Sequence, residues 1–288
     1  MENIAEKVLP IIKKTREITL PHFGNIEILE HKTKNVHDIV TKIDQETEKY
    51  LEKELKKLCP NIPFIGEEFG GDRKAKKFWL VDPIDGTSLY SRGMPFCTTM
   101  LALIENGEVT FAVIYDFVRD IIYHAEKGKG AYKNDVRIHV SDRPVSDSYI
   151  GWETHLDKPE NLKIVLELRK FSALFKTMCA GYEYAMVAEG KLDGRITFDP
   201  WGKDYDFAPG SLLVKEAGGF VTNLGSKNYD YKNFDFIVAN LPLYRLAKTR
   251  KNGSCEIAKF LRNSWRGSHC QNQRTDKSGK HSPNHIKE

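Results

Sequence analysis

The sequence predicts an α/β protein, and two observations carry that prediction. Through the second half of the chain, short strand-like runs alternate with helical stripes, a pattern that packs helices against a sheet. Apolar residues make up 40% of the 288 residues and aromatic ones 11%, enough for a substantial core. By length this is one large or two modest domains.

In chain order, residues 2–20 carry Ile4, Val8, Ile11, Ile12 and Ile18, a helical stripe. "VHDIVTKID" (36–44) reads as extended and leads into a second helix over 45–58, with Tyr50, Leu51, Leu55 and Leu58 on one side and Pro60 ending it. "FWLV" (78–81) suits a buried strand. From Thr98 to Val140 the pattern is a meander, with Asn106-Gly107 as a hairpin signal. The polar, proline-bearing "SDRPVSDS" (141–148) marks a boundary between a domain at 1–142 and another at 143–251. Beyond it come a strand in "YIGWE", helices over 158–171 and 182–189, and a strand in "RITF". A helix over 206–217, strands in "GFVTNL" and "FDFIVAN", and a helix over 242–250 complete the pattern. After Asn252 the composition changes: "RGSHCQNQRTDKSGKHSPNHIKE" (266–288) has almost no apolar residues and no periodicity, and 252–288 are expected to form a disordered tail.

Charge narrows the function. The net charge is +4, yet Tyr244–Glu288 alone hold 11 Lys/Arg against 3 Asp/Glu, and residues 1–243 hold 33 basic and 37 acidic groups. The basic balance belongs to the tail, so the body gives no reason to expect nucleic-acid binding, which is left to the tail alone. No run of 18 apolar residues is present, so no membrane span is expected. The first residues begin acidic and amphipathic rather than as a secretory signal. Five scattered cysteines without a C-x-x-C fit a reducing cytoplasm.

The chemistry concentrates in "WLVDPIDGTSLY" (79–90). Asp82 follows an apolar run and so emerges at the C-terminal end of a strand; Pro83 fixes φ and holds Asp82 extended. Asp85-Gly86-Thr87 turns the chain into a short helix at 88–91, where Gly86 permits close approach of the backbone and the first amides suit a phosphate. An Asp-rich turn that simply caps a helix explains the same residues. Upstream, "FIGEEFGG" (64–71) places Glu67 and Glu68 after an apolar pair and beside glycines, either as a solvated acidic pair or as ligands. Downstream, Asp206 opens an apolar helix, either as a cap or as a further ligand. Assembled, Glu67, Asp82, Asp85 and Asp206 form an all-oxygen set whose mutual repulsion is tolerable around cations, and hard ones, Mg²⁺ or Mn²⁺. Two such ions balance four carboxylates and still attract a phosphate.

"GEE" (66–68), "DPIDGT" (82–87) and "YDFAPGSLLVKEAGG" (205–219), preceded by "DIVTKID" (38–44), resemble the inositol monophosphatase family over roughly residues 1–248. The resemblance implies a layered αβαβα sandwich and Mg²⁺-dependent, lithium-sensitive hydrolysis of a small phosphorylated metabolite. It also implies a homodimer, with residues 1–142 carrying most ligands and 143–251 completing the site. Glu67, Asp82 and the Ile84 carbonyl would hold a first metal; Asp82, Asp85 and Asp206 would hold a second; a third, weaker ion would help Glu67 activate water. Thr87 would pair with Asp44 to orient that water, Glu68 would support from behind, and the Gly86 and Thr87 amides would cradle the phosphate. Asp85, Cys179, Ala180, Thr197 and Asp206 fall at substrate-contact positions. Tyr205 and Pro209 depart from the family's "WDxAAG", and Met178, Cys179 and Ala180 replace its "GTA". Inositol is therefore only one candidate beside fructose-1,6-bisphosphate, 3′(2′),5′-bisphosphate nucleotides and histidinol phosphate. A homologue that binds metal but works through protein or RNA contacts is the reading from another class.

Overall fold

The computed structural model describes residues 4–26, 28–31, 39–226 and 228–248; the expected tail at 252–288 lies outside them. Two helices open the chain, α1 (Ile4–Thr19) and α2 (Lys42–Leu58), with strands β1 (Ile28–His31) and β2 (Ile39–Thr41) pairing antiparallel between them. A seven-stranded sheet follows, built from β3 (Phe64–Gly66), β4 (Lys77–Asp85), β5 (Thr98–Glu105), β6 (Glu108–Asp116), β7 (Ile121–Glu126), β8 (Gly130–Lys133) and β9 (Val136–Ile138). These strands lie in chain order, antiparallel except for the parallel β3–β4 pair. Helix α3 (Thr87–Tyr90) sits between β4 and β5. The remainder comprises β10 (Tyr149–Glu153), α4 (Pro159–Leu168), β11 (Ala173–Phe175), α5 (Ala180–Ala188), β12 (Gly194–Thr197), α6 (Asp204–Glu216), β13 (Phe220–Asn223), β14 (Phe236–Ala239) and α7 (Leu241–Lys248). Its five strands form a mixed sheet in the order β11-β10-β12-β14-β13.

Period-two alternation explains the layering. On β4 and β5, Trp79, Val81, Leu101 and Leu103 face one way and pack with Val8 and Ile12 of α1 and Leu51 and Leu55 of α2. Their neighbours Phe78, Leu80, Met100 and Ala102 face the other way, onto α5 and α6 through Tyr184, Phe207 and Leu213. The same two helices cover Phe236 and Val238 of the second sheet. The opposite face of that sheet, with Ile150, Ile196 and Ile237, packs on α4 and α7 through Ile164, Val165, Leu168 and Leu243. The result is the expected αβαβα order.

Several boundaries differ from the sequence expectation for local reasons. Helix α2 starts at Lys42, not 45: Thr41 is its N-cap and Asp44 the third residue of a capping box. The strand expected over 78–81 runs on to Asp85, so Asp82 lies inside it; its pairing with β5 slips between Asp82 and Asp85. Pro83 costs no ladder bond to β3, because β3 pairs only with Trp79–Val81. Three-residue strands β3 and β11 were too short for periodicity to show.

Candidate active site

Three elements bring the acidic residues to one cleft of about 530 Å³. The bulged end of β4 supplies Asp82 and Asp85, and the turn after β3 supplies Glu67. Helix α6 supplies Asp206, whose Oδ2 accepts the Lys203 amide at 2.5 Å. One carboxylate oxygen from each of Asp82, Asp85 and Asp206 lies within 4.8 Å of the others.

The electrostatics of this cluster are unfavourable in its metal-free form. Burial pushes the Asp82 carboxyl well above the ordinary carboxylate range, and the charges of Glu67, Asp206 and Asp85 push it further. Burial, then Glu67 and Asp85, do the same to Asp206. Asp85 rises to about 6: burial raises it, while the Gly181 amide, the Cys179 thiol and the Ala180 amide partly oppose. Asp82 Oδ1 is buried without a hydrogen-bond partner among the described residues. A carboxylate oxygen so placed, among two or three further acids, suits a cation and is costly otherwise. The donors are all oxygen, which fits a hard divalent ion.

Supporting contacts set each carboxylate. Asp85 Oδ2 accepts from Gly181 N at 2.6 Å and Cys179 Sγ at 3.1 Å. A Cβ on Gly181 would lie 2.4 Å from Thr98 Oγ1, so glycine is needed for α5 to approach this closely. Gly86 has φ +86°, and a Cβ there would meet the Phe96 carbonyl at 2.7 Å. Asp44 works in two directions. Its Oδ2 accepts from the Thr41 amide at 2.8 Å and binds the Thr41 hydroxyl, and its Oδ1 lies 2.9 Å from the Thr87 hydroxyl. The same hydroxyl is 2.8 Å from the Ile84 carbonyl. Burial lifts Asp44 to about 6, against the opposing bonds from Thr41 and Thr87.

The structure therefore brings Glu67, Asp82, Ile84, Asp85, Gly86, Thr87, Ala180 and Asp206 to one cleft wall, with Asp44 directly behind Thr87. Glu68 enters through its backbone, its amide donating to Glu48 Oε2 at 2.8 Å. Cys179 lies beneath Asp85, buried, and Met178 and Ala180 on either side of it line the cleft. Thr197 stands apart from the cleft. On β12 it shares a face with Arg195 and is fully buried, its Oγ1 accepting from Arg195 Nη1 at 2.6 Å. Sequence reasoning missed Glu153, His155, Lys176, Arg195 and Trp201, which line the far side. The His155 and Trp201 ring centroids lie 4.3 Å apart with the rings tilted at 53°, and Lys176 Nζ lies 5.3 Å from the Trp152 ring centre. Trp201 opens the run that leads to Asp206, and the others sit in no local motif.

Metal binding should show in the pH dependence of stability. A carboxyl whose folded pKa is raised binds its proton more tightly folded than unfolded, so its stabilisation is lost as pH rises through that range. For Asp85 the window runs from about 4 to about 6. The melting temperature of chelator-treated protein, relative to Asp85→Asn, is expected to fall across it and to recover on adding Mg²⁺ near neutral pH. Calorimetry showing a relative rise, or no response to Mg²⁺, contradicts this account.

Comparison with known proteins adds independent evidence. Fructose-1,6-bisphosphatase/inositol-1-monophosphatase of Thermotoga maritima is 32% identical over 235 residues, covering 81% of this chain and 89% of that protein. Nus factor SuhB of Xylella fastidiosa is 35% identical over 211 residues, covering 71% of this chain and 76% of that protein. The solved structure of Thermotoga maritima IMPase superposes with a TM-score of 0.78 at 28% identity, over 90% of this chain and 97% of that one. A sequence model described as the inositol monophosphatase family matches residues 1–260. No helix among the described residues is long and apolar enough to cross a membrane. With that match spanning most of the chain, and with relatives this similar, the protein belongs to the inositol monophosphatase family.

Proposed function

We propose that this protein is a Mg²⁺-dependent phosphomonoesterase that hydrolyses a small phosphorylated polyol or sugar. The observation that carries the reading is the convergence of Asp82, Asp85 and Asp206, with one carboxylate oxygen of each within 4.8 Å of the others, in a cluster where the buried Asp82 Oδ1 has no hydrogen-bond partner among the described residues. Glu67, Asp82 and the Ile84 carbonyl would hold one ion, and Asp82, Asp85 and Asp206 a second, with Mn²⁺ as a substitute and a third, weaker ion near Glu67. When bound, such ions polarise the phosphate and make water a stronger nucleophile.

The chain's own groups do the positioning. Asp85 is held by the Gly181 amide and the Cys179 thiol, and Asp206 by the Lys203 amide. The Gly86 and Thr87 amides receive the phosphate at the start of α3, and Ala180 borders the substrate. Thr87 turns its hydroxyl proton toward Asp44 Oδ1 and the Ile84 carbonyl, which leaves its lone pairs to orient a water. Asp44, at about 6, has a proton affinity suited to taking up a proton near neutrality. Lithium sensitivity, a homodimer and a cytoplasmic location belong to the same reading.

The alternatives within this class are fructose-1,6-bisphosphatase, 3′(2′),5′-bisphosphate nucleotidase and histidinol-phosphatase, separated by the wall of Met178, Ala180, His155, Lys176 and Trp201. A second class is favoured by the Nus factor SuhB relative: a metal-binding homologue acting through protein or RNA contacts, with the basic tail as the contact surface. The deciding experiment measures phosphate release from inositol-1-phosphate, fructose-1,6-bisphosphate, 3′-phosphoadenosine-5′-phosphate and histidinol phosphate with Mg²⁺ or Mn²⁺. Turnover of at least one supports the enzyme. Turnover of none, with partner binding lost on deleting 252–288, supports the second class.

A further inference from the structure

Glu48 lies one helical turn beyond Asp44 on α2 and is 1% exposed. Glutamates are almost never buried this fully without partners. Here the partners include backbone amides: Oε2 accepts from Glu68 N at 2.8 Å and Oε1 from Phe69 N at 2.9 Å. Both amides belong to the turn that carries Glu67. That turn is pinched at its base, where Gly66 N donates to Gly70 O at 3.0 Å and Gly70 N to Gly66 O at 3.1 Å. Glu67 N donates to Val81 O at 3.0 Å, beside Asp82. The amides of residues 67, 68 and 69 are thus all engaged, two of them by Glu48. A Cβ on Gly66 would meet Glu48 Oε1 at 1.9 Å and Cδ at 2.1 Å. Glycine at 66 is what admits the carboxylate beneath the turn.

We propose that Glu48 is a positioning residue that fixes the Glu67 turn, so that the Glu67 carboxylate faces Asp82; this rests on the metal-dependent hydrolase reading. Bonds from backbone N–H to a carboxylate are roughly twice as strong as neutral ones. They hold a turn whose tip is open to solvent, Phe69 being 52% exposed. The spacing of Asp44 and Glu48 puts them on one face of α2. Through Asp44 the helix holds Thr87, and through Glu48 it holds the turn of Glu67. One rigid element therefore sets the distance between two segments about twenty residues apart in sequence.

The test compares wild type with Glu48→Gln, which keeps the size but presents an NH₂ to one of the two amide donors. Mn²⁺ binding is followed by electron paramagnetic resonance, beside kcat, half-saturating Mg²⁺ and thermal unfolding. Glu48→Gln is expected to weaken at least one class of bound Mn²⁺ by about tenfold, the lower end of what residues orienting metal ligands cost. Half-saturating Mg²⁺ should rise in parallel, and Glu48→Asp, with its charge kept but one methylene shorter, should fall between. Unchanged Mn²⁺ affinity and Mg²⁺ dependence, with only a lower melting temperature, overturns the proposal. If Glu48→Gln does not fold, the same titration of Glu48→Asp decides by the same criterion. Wild type that binds Mn²⁺ but releases no phosphate defeats the phosphatase reading, and the Mn²⁺ comparison still decides the role of Glu48.

Discussion

Asp82→Asn is expected to lower turnover by about a thousandfold, roughly 4 kcal/mol of transition-state stabilisation, while making the metal-free protein more stable. Changing residues that only orient metal ligands typically costs about 10–100-fold, and Asp82 is assigned to both ions. In the absence of metal the same carboxylate is a liability. It is buried, its Oδ1 has no partner among the described residues, and Glu67, Asp206 and Asp85 all oppose its ionisation. Asparagine keeps the shape and cannot ionise, and replacing buried ionisable pairs by uncharged groups of similar volume is often neutral or stabilising by about 1–4 kcal/mol. At the low end this raises the melting temperature by roughly 2–4 °C for a chain of this size. Phosphate release and calorimetry in chelator check both halves. A variant with a tenth of wild-type activity, or one that melts earlier without metal, contradicts the assignment.

Arg195→Met is expected to destabilise the fold by about 3–5 kcal/mol, the cost of leaving a buried charge without its partner. Arg195 is 1% exposed on β12 and donates to Glu153 Oε2 at 2.5 Å, Glu183 Oε2 at 2.9 Å, Tyr184 OH at 3.0 Å and Thr197 Oγ1 at 2.6 Å. Burial alone would raise Glu153, but the Arg195 charge overrides it and holds the carboxyl below its usual range. Glu153 Oε1 in turn accepts from Gly202 N at 2.9 Å, just before Asp206. Glu183 Oε1 accepts from Thr177 N at 2.7 Å, just before Cys179. Loss of the cation should therefore loosen both segments that approach the metal cluster. Urea unfolding measures the loss, and adding Glu153→Gln with Glu183→Gln is expected to recover much of it. A loss under about 1 kcal/mol, within the range of exposed ion pairs, shows that the network does not hold these segments.

What the sequence disclosed and what it hid follow from the range of each interaction. Asp82, Asp85 and Gly86 were legible because a strand, a proline and a turn specify one another within a few residues. The apolar runs "FWLV" and "TTMLALI" were legible as strands, the first as a buried one and the second as the start of a meander. Asp206 was visible at a helix start, although that position alone also describes a dipole-stabilising acid. Glu48 was not legible: a single glutamate in a Lys/Glu-rich helix reads as solvated, and its burial depends on Gly66 making room eighteen residues away. Arg195 was hidden in a strand-like run, since its two acids come from β10 and α5. Thr197 was expected at the substrate, yet it is fully buried and its hydroxyl accepts from Arg195, which itself lines the cleft.

The central claim is that Asp82, Asp85 and Asp206, with Glu67, form a divalent-metal site rather than a set of capping and turn-forming acids. Anomalous diffraction from crystals grown with Mn²⁺ tests it most directly. The account predicts anomalous peaks about 2.1–2.3 Å from carboxylate oxygens of Asp82, Asp85 and Asp206, between the oxygen distances of Mg²⁺ and of Ca²⁺. Carboxylates paired with one another through shared protons, and no peak among them at millimolar Mn²⁺ and neutral pH, would contradict it.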